Sequence, residues 1–175
     1  MVVTTRLRLE DFLAMPRIEE ERLELIDGEV YEKPMPRWGH ARQAGQLVAE
    51  LNRFGFAGVE ARAIIPAAGD LEASAPLPDV AFYRHNPPAD DEWMSRPPHV
   101  AIEILSLGQS RTEMRTKVEV YLRFGVESVW VVDPERHLVD VYEAGARRTL
   151  SRDDILQSPA APGFALRVAD LLSRA

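Results

Sequence analysis

The chain contains no cysteine. That excludes a disulfide scaffold, a thiolate zinc site and a cysteine nucleophile, and it is compatible with a reducing compartment. No stretch approaches the ~20 apolar residues of a membrane span. The opening segment, Met1 to Glu10, has no apolar core long enough for a signal peptide. The expectation is a soluble, cytoplasmic protein without a membrane partner. Glycine runs of the P-loop or dinucleotide type are absent, no serine sits in a G-x-S-x-G elbow, and the four histidines (His40, His85, His99, His137) show no zinc-ligand spacing. Nucleotide-binding and serine-hydrolase readings therefore have no support. A surplus of positive charge is missing too. The net charge is −7 and the pI about 5.2, which counts against a passive nucleic-acid coat. It counts less against a nuclease, which needs acidic residues to hold metal.

What is present is an ordinary globular composition, 46% hydrophobic and 28% charged over 175 residues. This fits one domain, residues 1–175. Leu9 to Met15 reads as a short helix stopped by Pro16. Asp27-Gly28 between alternating runs in Arg22 to Lys33 signals a hairpin. Trp38, Ala41, Ala44, Leu47, Val48, Leu51 and Phe54 recur at helical spacing, with Gly55 as the stop. Val59 to Ile65 and Pro78 to Tyr83 read as strands, separated by a proline-rich loop from Val100 to Leu105. That last run is almost wholly apolar, as in a strand covered on both faces. Ser110 to Phe124 reads as a helix with a stripe of Met114, Val118, Tyr121 and Leu122. Ser128 to Val132 is a further buried strand, Leu138 to Tyr142 its hairpin partner, and Pro162 to Leu172 a strand followed by a helical end. The order implies an α/β (α+β) class: a mixed β-sheet flanked by helices.

Glu103 is the first anomaly, because it interrupts the most apolar strand. Burying a lone carboxylate costs several kcal/mol or shifts its pKa. Glu103 therefore needs either a fixed cationic partner or a metal. Alternation places Asp79, Ala81 and Tyr83 on one strand face, and Ala101, Glu103 and Leu105 on one face of the other. If the strands are neighbours, Asp79 and Glu103 converge, and a divalent cation would relieve their repulsion. Taken alone, Asp79 also reads as a turn residue at a strand entry. Lys117 follows on the next helix. Its spacing from Glu113 also fits a surface i, i+4 pair.

Several segments together resemble the PD-(D/E)XK nuclease superfamily, and within it the bacterial Uma2 family of restriction endonucleases. ELIDGEVYE, Glu24 to Glu32, is similar to its N-terminal hairpin. His40 is similar to a histidine opening its first long helix. LPDVAFY, Leu77 to Tyr83, and AIEILS, Ala101 to Ser106, are similar to its two acidic strands. KVEVYLRFGVESVWVVDP, Lys117 to Pro134, is similar to its helix–strand unit, and PGFALRVADLL, Pro162 to Leu172, to its C-terminal segment. The match depends on these motifs falling in the family's order. The resemblance implies a restriction-endonuclease-like sheet. It implies Asp79 and Glu103 as metal ligands for Mg²⁺ or Mn²⁺, Lys117 as the catalytic lysine, and Glu24, His40 and Glu113 as accessory residues. In the wider superfamily the lysine lies two residues after the acid on the same strand. Here that position is Leu105, so the lysine has moved to the helix. The family's loop after Ser106 is replaced by Leu107-Gly108-Gln109, and Glu113 stands where an Asp is usual.

The function so implied is metal-dependent hydrolysis of DNA phosphodiester bonds by an endodeoxyribonuclease, with a homodimer expected if both strands of a duplex are cut. Asp79→Ala or Lys117→Ala is then expected to abolish cutting and leave the fold nearly intact. The alternative is a nuclease fold that no longer cuts and serves as an oligomeric binding or interaction module. The acidic pI favours that alternative.

Overall fold

The computed structural model describes residues 6–70, 72–106, 109 and 111–173. Among them the chain forms α1 (Leu9–Leu13), β1 (Leu23–Ile26), β2 (Glu29–Glu32), α2 (Trp38–Leu51), β3 (Phe56–Val59), β4 (Val80–Tyr83), β5 (Val100–Ile104), α3 (Arg111–Phe124), β6 (Ser128–Asp133), β7 (Leu138–Glu143), β8 (Ala146–Leu150), β9 (Ile155–Leu156), β10 (Leu166–Arg167) and α4 (Val168–Leu172). Six strands make the central sheet in the order β3-β4-β5-β6-β7-β8. Every pairing in it is antiparallel except β5 with β6. A parallel pair needs a crossover, and α3 supplies it. The sheet is mixed and flanked by helices, as the element order implied.

β5 and β6 are buried at every position, as their apolar runs require. One face of the sheet packs Val80, Phe82, Ile102, Trp130, Val132 and Val141 against α2 and α4. Buried side chains of this kind stabilise by about 1.5–3 kcal/mol each. Across the sheet, α3 packs Met114, Val118 and Tyr121 over Ala101, Val129 and Val131. The β1–β2 hairpin lies on this second side, where Ile26 joins Ala81, Tyr83 and Val120. Its turn is set by Asp27 and Gly28, with φ of 50° and 79°, the left-handed pair that a tight two-residue hairpin demands.

Four details depart from the sequence reading. The strand expected at Val59 to Ile65 lies earlier, at Phe56–Val59. Asn52 closes a turn by accepting a hydrogen bond from the Ala57 N–H (2.7 Å), so pairing starts at once. Glu60, at φ 51°, then breaks it, and Ala63 and Ile65 make only isolated bridges. Helix α2 ends at Leu51, before Phe54 and Gly55. Gly55 is required instead by close approach, because a Cβ there would collide with the Tyr83 carbonyl and the Phe82 ring. Leu122 is 38% exposed, and Val120 is buried in its place. The buried face of α3 is rotated so that Lys117 belongs to it. Strand β8, with the polar sequence ARRTL, had no strand signal of its own and pairs along β7. Leu107 and Gly108 of the altered loop, and Ser110, expected to open the second long helix, lie outside the described residues.

Candidate active site

Strands β4 and β5 pair with Val80 opposite Ile102 and Ala81 opposite Ala101. The same register carried one residue further sets Asp79 opposite Glu103. The two strands are thus neighbours, and the shared face inferred from alternation is real. Asp79 is 2% exposed and Glu103 1%. Asp79 is fixed by the backbone, since its Oδ2 accepts a hydrogen bond from the Ile104 N–H at 2.6 Å.

Three elements converge on this pair. From α3, Lys117 places Nζ 2.8 Å from Glu103 Oε1 and 2.9 Å from Glu24 Oε1. Lys117 is 1% exposed, so the surface-pair reading with Glu113 fails. One turn on, the Tyr121 hydroxyl donates to Glu103 Oε1 at 2.7 Å. From β1, Glu24 shares Lys117 and accepts the Leu77 N–H at 2.6 Å, which ties the hairpin to the segment entering β4. From α2, His40 Nε2 lies 3.1 Å from Asp79 Oδ2. Glu113, in the first turn of α3, is partly buried and near enough to feel the Lys117 charge. Of the six residues expected at the site, five meet in one cluster and Glu113 stands at its edge.

A seventh residue was missed. Lys33, immediately after β2, is 7% exposed and donates to the Leu77 carbonyl. Its Nζ lies 2.7 Å from Asp79 Oδ1 and 3.8 Å from Glu103 Oε2. One ammonium therefore bridges the acidic pair. Its sequence context, a lysine between a hairpin end and Pro34, looks like any solvated loop position. The only available signal was that it closes the same hairpin that carries Glu24.

The cluster contains three carboxylates and two ammonium groups, all buried, so the carboxylates outnumber the ammonium groups by one. Burial pushes the Asp79 carboxyl up, but Lys33 and His40 outweigh it and hold Asp79 well below the usual carboxylate range. Glu103 goes the other way: its complete burial raises it despite Lys117 and Lys33. Burial opposes the Lys117 ammonium, yet Glu103 and Glu24 hold it above the ordinary lysine value. The two carboxylates thus favour the ammonium form of Lys117.

The donor chemistry fits a hard divalent ion. Asp79 Oδ1 is buried, touches Lys33 at ion-pair distance, and still lacks a hydrogen bond of good geometry. The Lys33 ammonium is its partner, so this oxygen opens to a ligand only when that lysine moves. Among the described residues no three His, Cys, Asp or Glu side chains form a cage. Two carboxylates suffice for Mg²⁺, which keeps several waters and takes further oxygens from a phosphate. Lys33 occupies the position between them, so it must yield for such an ion to enter.

The chain as a whole is similar to known proteins. A crystal structure described as a putative nuclease belonging to DUF820, from Anabaena variabilis, is 26% identical. It covers 95% of this chain, which covers 97% of it, with a TM-score of 0.80. No curated protein matches. Among the described residues no helix is long and apolar enough to cross a membrane. Residues 9–169 match the family Uma2, described as "Putative restriction endonuclease", and the chain belongs to that family.

Proposed function

We propose that this protein is a metal-dependent endodeoxyribonuclease that hydrolyses DNA phosphodiester bonds, with Asp79, Glu103 and Lys117 as its catalytic residues. The observation that carries this reading is the convergence of two buried carboxylates from adjacent strands with a buried lysine from α3. Family membership supports a nuclease at the coarser level. Asp79 and Glu103 would hold Mg²⁺ or Mn²⁺. When bound, such an ion supplies a Lewis acid and lowers the pKa of its water. The protein's own side chains do the rest. Lys117 stays protonated and offsets negative charge gathering on the phosphoryl oxygens. Glu24 and Tyr121 hold Lys117 and Glu103 in place. His40 and the Ile104 N–H orient Asp79.

The test is cleavage of supercoiled, linear duplex, single-stranded and branched DNA with Mg²⁺ or Mn²⁺. Wild-type protein should cut at least one form. Asp79→Ala should lower the rate by at least about a hundredfold, the scale of losing one preorganised electrostatic group. No cutting of any form would sink the proposal.

One observation favours a second reading, a nuclease fold retained as an interaction module. Lys33 and Lys117 already neutralise most of the acidic charge without an ion. Calorimetric titration with Mn²⁺ separates the two. A catalytic site binds the ion, and Asp79→Ala removes that binding. A neutralised structural cluster gives no heat in either protein. A homodimer belongs to the first reading only if both strands of a duplex are cut.

A further inference from the structure

A cleft of about 710 Å³ opens beside the charged cluster, between the β2–α2 loop, the start of α2 and the β6–β7 turn. Its volume is that of a small-ligand site. It adjoins the reacting groups: His40 lines it and touches Asp79, and Leu105 and Ser106, which follow β5 directly, line it too. Two features of its lining are unexplained by the fold.

The first is apolar surface left uncovered. Trp38 is 84% exposed and Met35 74%, the two most exposed large hydrophobic side chains among the described residues. Both stand at this cleft. The second is a concentration of unmet hydrogen-bonding capacity. Six buried side-chain nitrogen or oxygen atoms lack a hydrogen bond among the described residues, one of them, Asp79 Oδ1, being in an ion pair with Lys33. Three of them, His40 Nδ1, Gln43 Oε1 and His137 Nδ1, belong to residues lining this cleft. Gln43 is only 4% exposed, and a buried amide oxygen left unpaired is destabilising. His137 is also held at φ 56°, a left-handed conformation that non-glycine residues seldom adopt. Unpaired polar groups in one cleft call for a ligand or bridging water.

We propose that the cleft receives one unpaired nucleobase of the strand being cut. The proposal rests on the nuclease reading and names its substrate class: single-stranded or locally unpaired nucleic acid. Trp38 offers an exposed ring for a base to stack on. The Gln43 amide and the His40 and His137 imidazoles border the same cleft, and a rotation of these side chains would turn their donors and acceptors to a base edge. Arg37, exposed at the N-terminus of α2, and the first-turn N–H groups suit the adjoining phosphate. That turn has no side-chain cap and no acidic residue. A base can reach this ring only when it has left the duplex stack. Charge points the same way: at −7 overall, the protein is poorly suited to track a long stretch of duplex phosphates, whereas a one-nucleotide site needs few cations.

The test is fluorescence anisotropy of a labelled 12-nucleotide single strand and of the matching duplex, with full-length protein in chelator so that no cutting occurs. The single strand should bind at least about tenfold more tightly than the duplex, and Trp38→Ala should weaken it about tenfold, the lower range for losing one base stack. Trp38→Phe should retain most of the affinity. Trp93→Ala, which removes an indole 49% exposed outside the cleft, should leave affinity unchanged. Equal affinity for duplex, no effect of Trp38→Ala, or no binding of either DNA overturns the proposal. Competition by a free nucleoside monophosphate as strong as by the strand also overturns it, reassigning the cleft to a soluble nucleotide. Because binding is read without metal, single-strand binding that depends on Trp38 would stand even if no DNA form were cut.

Discussion

On one side of the central sheet, Leu47 and Leu51 of α2 and Val168 and Leu171 of α4 meet aliphatic and aromatic partners from β4 to β7. On the other side, at the same strands, α3 and the hairpin bury Lys117, Lys33 and Glu24 against Asp79 and Glu103. Both sides are dry, yet only one is held by non-directional burial. The apolar side tolerates small adjustments of packing. The charged side depends on each group having its partner at a fixed distance, because a buried ion pair gains little net stability while a broken one is costly. Such an arrangement has little net stability to gain and much to lose when one partner is removed.

Mutations on the two sides should behave differently. The largest effect is expected at Lys117. Lys117→Met leaves Glu24 and Glu103 facing each other unpaired and should cost about 3–5 kcal/mol in urea unfolding at pH 7. Adding Glu24→Gln should recover part of that loss. This revises the expectation that Lys117→Ala spares the fold, which assumed an accessible lysine. Leu47→Ala, on the apolar side, should cost about 2–5 kcal/mol but leave metal-dependent cutting by the folded fraction intact. A Lys117→Met protein as stable as wild type would erase the contrast.

A smaller effect concerns acid. Because Asp79 is depressed in the folded protein, its contribution to stability is present above its ordinary value of 3.8 and is lost as pH falls through the folded value. The stability of Asp79→Asn should therefore fall less steeply than wild type below about pH 4, as read by denaturant midpoints at a series of pH values. The smallest effect belongs to neither face. Arg17 and Glu20 pair at 2.8 Å with side chains 64% and 70% exposed, and Arg17→Ala should change stability by less than about 1 kcal/mol.

How much of this could be read in advance follows from the range of each interaction. Asp79 and Glu103 were legible because strand alternation is a local rule and the register obeys it. Lys117 was legible by analogy, though a local sign existed: it falls in the buried stripe with Met114, Val118 and Tyr121, where the helical period calls for an apolar residue. Lys33 was not legible, since its partners are Leu77, Asp79 and Glu103 and nothing beside it in the chain marks it as buried. The displaced strand β3 depended on the Asn52 turn and the left-handed Glu60. The polar strand β8 depended on having β7 as a template.

The β1–β2 hairpin forms a two-stranded sheet of its own and gives the cluster both Glu24 and, at its exit, Lys33. Glu24 meets Lys117 across 93 positions of sequence. Such a distant contact closes late in folding, after the local pairings of the central sheet. The same geometry works in reverse. Were the hairpin to open as a unit while the six-stranded sheet persisted, the acidic pair would lose Lys33 and the partner that anchors Lys117. Amide hydrogen exchange should show the hairpin opening at lower free energy than β5 and β6. The charged arrangement is therefore a property of how the hairpin docks and not of the central sheet alone.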